Sequence, residues 1–468
     1  MYKKIKKKIV SPIDISCALC YNERREWTVS INSLTGTAGG NTMQWNWKTG
    51  KRTGIALALL FASTVFADTD FFAPGFDSGK NLPADKIYPQ GRVFPYSGFS
   101  PGDLIELKKT GFTMAGPVYT EKQLSRLLSD AEKADMPILY TLHPSVKGAP
   151  LTRQILDRND FDPADYVSDL KRTVRKMAKN RRIAWWYLAP EELRPWRTRD
   201  MNFLKQALAA IRASDPLKRP VWLYLPNHYT AKQMTPFAET LDILGKGMYP
   251  SQLGKERERI WCRWSTESEV EAVGAAGNRS IPIAVPEMFR QPPAELVNDV
   301  EKWVRHDVYL SLISGARGIV VFSLARRSNF DAHSRYFKAY AQIGRELTDG
   351  KLGEAFLFGK SMNTLKITPL NLKAEKLTVH SGHGVSGEKN DYSPVTHLEL
   401  GYRDERLLFL VNSSPTDMIL LRIEGLPQET LQILDRFSGR EITIIENGRF
   451  AASLLPYEVR CFHFVRKK

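Results

Sequence analysis

Cysteine is scarce in this 468-residue chain, with only Cys17, Cys20, Cys262 and Cys461. Four cysteines in that length exclude a small disulfide-stapled scaffold. Cys17 and Cys20 form a lone C-x-x-C with no second pair or histidine cluster beside it, so no zinc site is expected there. Cys262 and Cys461 are expected to be unpaired, buried thiols. Long apolar runs are also missing. The strongest, Gly54–Ala62, is too short to span a bilayer. No block of basic residues interleaved with aromatics points to nucleic acid. A glycine-rich phosphate loop, a G-x-S-x-G elbow and an H-E-x-x-H zinc motif are all absent.

What remains is ordinary globular material, with 43% hydrophobic and 25% charged residues in a chain long enough for two or three domains. The net charge is +16. Residues 1–67 hold 10 basic and 3 acidic residues, which leaves 57 basic against 48 acidic in the remainder, or +9. That excess suits an acidic substrate or an anionic surface, and it is equally what a merely basic enzyme carries. Lys48, Lys51 and Arg52 precede the apolar run, which ends in Ser63-Thr64-Val65-Phe66-Ala67. A basic start, a short apolar stretch and small residues at Val65 and Ala67 predict a signal peptide over residues 43–67, starting at Met43. Residues 1–42 then read as a spurious extension or, alternatively, as the lysine-rich cytoplasmic tail of a signal anchor. The expected location is periplasmic or secreted, with no stable membrane insertion after cleavage.

From residue 91 the chain alternates strand and helix patterns. The strand candidates are Arg92–Ser97, Thr113–Tyr119, Pro137–His143, Ile183–Ala189, Pro220–Leu225, Ile243–Tyr249, Ile281–Val285 and Gly318–Leu324. Helical periodicity fills segments such as Glu121–Ala134, Asp165–Lys179, Asp200–Ala213, Pro293–Ser314 and Ser334–Leu347. Eight such units in roughly 250 residues have the rhythm of a (β/α)8 TIM barrel, an α/β fold assigned to residues 68–352. A doubly wound sheet would show a phosphate loop after its first strand, where this chain has Phe94-Pro95-Tyr96-Ser97-Gly98-Phe99. Beyond residue 352 short strand-like runs alternate with turns such as Asn412-Ser413-Ser414-Pro415. This predicts a C-terminal all-β sandwich over residues 353–468.

Two strand ends concentrate the chemistry. Trp185-Trp186-Tyr187-Leu188-Ala189-Pro190-Glu191-Glu192 and Ile281-Pro282-Ile283-Ala284-Val285-Pro286-Glu287-Met288-Phe289 are both apolar runs closing in a glutamate. Acids at that rim are where barrel enzymes build their sites, and a facing pair of carboxylates is the equipment for glycosidic cleavage. Alternation places Trp185, Tyr187, Ala189 and Glu191 on one side, with Trp186, Leu188, Pro190 and Glu192 on the other. The candidate catalytic residues are therefore Glu191 and Glu287, with Glu192 as the alternative acid. A helix-opening Glu-Glu pair is the structural alternative for Glu191 and Glu192. A solvated loop carboxylate is the alternative for Glu287. Trp186, Tyr187, Trp196, His143, Asn227, His228, Tyr249 and Phe289 are the candidate substrate-binding residues. His143, His228 and Asp242 could together form a metal site, although no ligand spacing supports one.

At these residues the chain resembles the clan A glycoside hydrolases. The Trp-Tyr-Leu-Ala-Pro-Glu-Glu run is similar to that clan's fourth-strand ending, and Val-Pro-Glu-Met-Phe to its seventh. Tyr249, in Gly247-Met248-Tyr249-Pro250, stands where the clan often has a tyrosine bonded to the nucleophile. Leu454–Val459 resembles the last strand of the β-sandwich that follows many of these barrels. The resemblance implies a retaining glycosidase acting on a polysaccharide or oligosaccharide, with Glu287 as nucleophile, Glu191 as acid/base and no metal or organic cofactor. Three features differ. Pro190 replaces the asparagine usual before the acid/base, Met114–Pro117 has no arginine, and Phe322–Ala325 has no tryptophan. A non-catalytic carbohydrate-binding protein on the same barrel is the competing expectation.

Overall fold

The computed structural model describes residues 94–466, apart from 119–123, 192, 372–375, 382–386, 429 and 445–447. The extension with Cys17 and Cys20, the signal segment, and Glu192 lie outside the described residues.

Eight strands close into one barrel. They are β1 (Tyr96–Gly98), β2 (Ala115–Val118), β3 (Ile138–Leu142), β4 (Ile183–Leu188), β5 (Val221–Leu225), β6 (Ile243–Met248), β7 (Ile281–Pro286) and β8 (Ile319–Val321), with β8 beside β1. Each predicted strand is present with its ends moved by a few residues. Every residue of β4 and of β7 is buried. That is the pattern of parallel strands covered by side chains inside the barrel and by helices outside. β8 is shorter than its apolar run, and past Val321 the pairing continues as an isolated bridge from Phe322 to Glu287.

The helices that alternate with these strands are α1 (Leu104–Lys109), α2 (Leu124–Ala134), α3 (Pro163–Met177), α4 (Thr198–Ser214), α5 (Ala231–Ala238), α6 (Trp261–Ala275), α7 (Val300–Ile313) and α8 (His333–Thr348). Local chemistry sets several of their starts. The Asp103 carboxylate accepts from the backbone of Ile105 and Glu106, and Asp162 caps α3 with Pro163 in its first turn. Among the described residues no helix is long and apolar enough to cross a membrane.

The helix Leu352–Phe358 leads out of the barrel, with Leu352 and Phe356 buried in the barrel's own core. A six-stranded sheet follows, ordered Lys360–Ser361, Val395–Tyr402, Glu405–Asn412, Val459–Arg466, Thr430–Asp435 and Glu441–Ile442. A three-stranded sheet comprises Lys366–Pro369, Ile419–Glu424 and Phe450–Leu454. Ile419, Leu421 and Ile423 alternate inward to share a core with Leu408, Leu410, Phe462 and Phe464 of the larger sheet. The opposite face of the larger sheet sends Leu407, Phe409 and Val411 into the barrel's core cluster, where Phe409 lies 4.6 Å from Phe356. Burial on both faces explains the unbroken apolar run of Leu407–Val411. The strands Lys366–Pro369, Lys389–Tyr392 and Phe450–Leu454 escaped the sequence reading, being polar or alanine-rich. Cys262 and Cys461 are free and buried.

Candidate active site

The C-terminal mouth of the barrel is floored with aromatic rings. Phe99, just past β1, meets Tyr187 of β4 at 5.6 Å, Trp222 of β5 at 5.7 Å and Phe322 past β8 at 4.9 Å, each edge-on. Tyr224 stacks on Tyr249 at 6.1 Å, and Phe289 and Phe322 pack on Tyr249 and on each other. Two glycines of β6 make room for this floor. A Cβ on Gly245 would strike the Trp222 indole, and one on Gly247 would strike the Tyr224 hydroxyl. Phe99, Trp222, Tyr224 and Phe322 were not among the candidates. The signal was present in Val221-Trp222-Leu223-Tyr224, whose two aromatics share one face opposite two glycines of like parity.

Glu191 stands at the end of β4, half-buried, and its carboxylate accepts the Tyr187 hydroxyl. Tyr187 is fully buried within the floor, so it reaches the site by holding Glu191. Trp196, on the loop after β4, is 60% exposed, with its ring 5.9 Å from Tyr229. His143 is exposed after β3, where its Nε2 lies 3.2 Å from the Leu151 carbonyl. After β5, Asn227 is buried, and half-buried His228 sits edge-on to Tyr229 at 5.0 Å. Tyr249 and half-buried Phe289 belong to the floor.

Three expectations need correction. Trp186 is fully buried and faces the helix layer. Its indole donates to Asp215 at 2.9 Å, and the Arg219 guanidinium covers it at 4.7 Å. It packs the outside of the barrel and offers no platform to a sugar. Asp242 precedes β6, at the end of the barrel opposite the strand ends that carry His143 and His228. There it accepts from Arg212 and from the Val221 amide, so the three cannot share a metal ion.

The third correction concerns Glu287. It is only 2% exposed, and its carboxylate accepts from the backbone amides of Ser251 at 2.9 Å and Gln252 at 3.3 Å. Arg259, just before α6, approaches it at 3.5 Å. The stronger partner of Arg259 is Asp307 on α7, which accepts from its Nε at 2.9 and 3.1 Å and from its Nη2. Asp307 also lies 2.9 Å from His306 Nδ1, and His306 Nε2 lies 2.9 Å from the Ser413 hydroxyl in the large sheet. Glu287 is thus held by the loop after β6 as one end of a buried polar chain that runs on to α7, rather than standing free in the mouth as expected. The order Ser413, His306, Asp307 is that of a hydrolase triad. All three side chains are sealed from solvent, however, and Asp307 is neutralised by Arg259. The chain serves to tie barrel to sheet.

The charges follow from these contacts. Burial pushes the Glu287 carboxyl up, against the pull of Arg259 and the Ser251 amide. Burial would raise Asp307 as well, but Arg259 and His306 outweigh it and hold the carboxyl below its usual range. Burial holds His306 below the usual imidazole range, opposed by Asp307. Among the described residues no group of three histidines, cysteines or carboxylates could hold a metal ion.

No family model matches this chain, and no curated protein matches its sequence. Solved structures do match its fold. A catalytic mutant of a GH42 beta-galactosidase from G. stearothermophilus aligns at TM-score 0.50 and 8% identity, over 81% of this chain and 99% of the other. A family 39 glycoside hydrolase from Bacteroides cellulosilyticus aligns at 0.49 and 11%, over 82% of each chain. A GH30 endoxylanase from Clostridium papyrosolvens aligns at 0.46 and 14%, over 80% and 96%. At 8% identity the first of these likenesses shows the fold alone, a TIM barrel followed by further sheets.

Proposed function

We propose that the protein is a carbohydrate-active enzyme of the glycoside hydrolase kind, with its sugar site at the aromatic mouth of the barrel and Glu191 as acid/base. One observation carries the reading. A half-buried carboxylate at the end of β4 takes the Tyr187 hydroxyl directly beside a floor of rings. Flat apolar faces with a few convergent polar groups suit the CH faces and hydroxyls of a sugar.

In the retaining form of this chemistry Glu191 protonates the leaving oxygen while a second carboxylate bonds to the anomeric carbon. Glu191 then takes a proton from the water that displaces that carboxylate. Glu287 can be the second carboxylate only after release from Ser251, Gln252 and Arg259. The two carboxyls would then have to approach to about 5–5.5 Å. The commitment of Glu287 to buried partners favours a second reading, in which the mouth binds a glycan and does not cleave it.

Around this site we read residues 68–352 as the barrel domain and 353–468 as a β-sandwich. The sandwich reading is supported by the core that the two sheets share. We read residues 43–67 as a signal peptide, which makes the protein periplasmic or secreted. N-terminal sequencing of exported protein should start near Asp68; a chain retaining residues 1–42 would overturn that reading.

The test of function is a polysaccharide panel scored for binding and for products, with Glu191→Gln and Glu287→Gln alongside the unmodified protein. Cleavage with retained configuration, lost in both variants, supports the retaining form. Binding without cleavage establishes the second reading. A protein that binds no glycan sinks both.

A further inference from the structure

The mouth is edged with guanidiniums that no carboxylate among the described residues neutralises. Arg327, on the loop after β8, lies 5.5 Å from the centroid of the Phe289 ring and donates to the Ser323 hydroxyl at 3.4 Å. Phe289 meets Tyr249 and Phe322 edge-on, so Arg327 sits against the aromatic floor itself. Arg290, exposed on the loop after β7, donates through Nη1 to the carbonyls of Ser251 at 3.2 Å and Gln252 at 3.0 Å. Those carbonyls orient the guanidinium and leave its charge uncancelled. Arg326 is exposed beside Arg327. Among the described residues none of the three forms an ion pair. Arg197, on the loop after β4, is by contrast neutralised by Asp157.

Cations on two adjacent mouth loops, one of them against a ring floor, match a ligand with a flat apolar face and an anionic edge. A guanidinium presents a planar fork that fits the paired oxygens of a carboxylate or a sulfate. We propose that the glycan taken at this mouth is anionic, with Arg327 and Arg290 holding the acidic oxygens of a uronate or sulfated sugar. The inference rests on the carbohydrate reading of the mouth and names its substrate class.

The test titrates the full chain with uronate-containing oligosaccharides and their carboxyl-reduced counterparts, which keep the linkages and lose the charge. A second arm compares sulfated oligosaccharides with desulfated ones. The acidic form of one pair should bind at least about tenfold tighter than its neutral partner. The gap should narrow as salt rises. Arg327→Gln and Arg290→Gln should each weaken the acidic ligand about tenfold and leave the neutral one nearly unchanged. Arg327→Lys should fall between, because it keeps the charge and loses the fork. Melting curves confirm that the variants are folded. Whichever arm shows the preference identifies the anion. Neutral partners that bind as tightly, or variants that weaken both forms alike, overturn the anionic assignment and leave the carbohydrate reading standing. If no oligosaccharide binds in either form, the carbohydrate reading has failed and takes this inference with it.

Discussion

Replacing Arg259 with methionine probes the buried chain most directly. Arg259 is 1% exposed, grips Asp307 through two nitrogens and stands 3.5 Å from Glu287. Its removal strands two buried carboxylates. Breaking a buried pair in this way costs about 3–5 kcal/mol. Unfolding entropy is about 2.1 cal/mol/K per residue, so over roughly 370 residues that loss lowers the melting temperature by about 4–6 °C. The pH dependence should change as well. In the unmodified protein Asp307 lies below its unfolded value, so its contribution is present above that value and is lost as pH falls through the folded one. Without Arg259, burial and mutual repulsion raise both carboxyls. The folded variant then binds more protons than the unfolded chain, and stability falls as pH rises through those raised values. Melting curves between pH 5 and pH 8 should therefore show Arg259→Met recovering toward acid more steeply than the unmodified protein. Glu287→Gln is the control. Its amide oxygen still accepts from Ser251, and the Arg259–Asp307 pair stays intact, so the loss should be about 1 kcal/mol. An Arg259→Met protein that melts within a degree of the original at pH 7, with an unchanged pH slope, would refute this account of the buried chain.

Other substitutions test the remaining parts of the site. Tyr187→Phe removes the hydroxyl that Glu191 accepts. If the mouth is catalytic it should cut kcat about 10–100-fold with KM little changed, read in steady-state kinetics. Gly247→Ala drives a methyl against Tyr224 and should cost about 1–3 kcal/mol in a denaturant titration, while the same change at open Gly274 should show no such clash. Trp186→Phe leaves Asp215 without its indole donor behind β4. It should lower stability by about 1–3 kcal/mol and leave glycan affinity unchanged; a large affinity loss would reinstate Trp186 as a sugar contact.

The barrel was legible because its strands are short apolar runs alternating with helical periodicity, and burial on both faces leaves that mark on composition. Alternation alone put Tyr187 on the side of Glu191, and the hydrogen bond between them agrees. The same parity set Trp186 apart, yet only Asp215 and Arg219, from the segment after α4, show that its side is the helix layer. The strands Lys389–Tyr392 and Phe450–Leu454 were illegible because their partners, not their own residues, make them strands. The direction of Glu287 was beyond any local reading. That glutamate ends an apolar strand much as Glu191 does. What holds it is a backbone turn at Ser251 and an arginine fixed by Asp307, 28 and 48 residues from its partners in sequence. A side chain at a strand end is free to swing, so its direction is decided by whichever charges and amides the folded chain brings within reach.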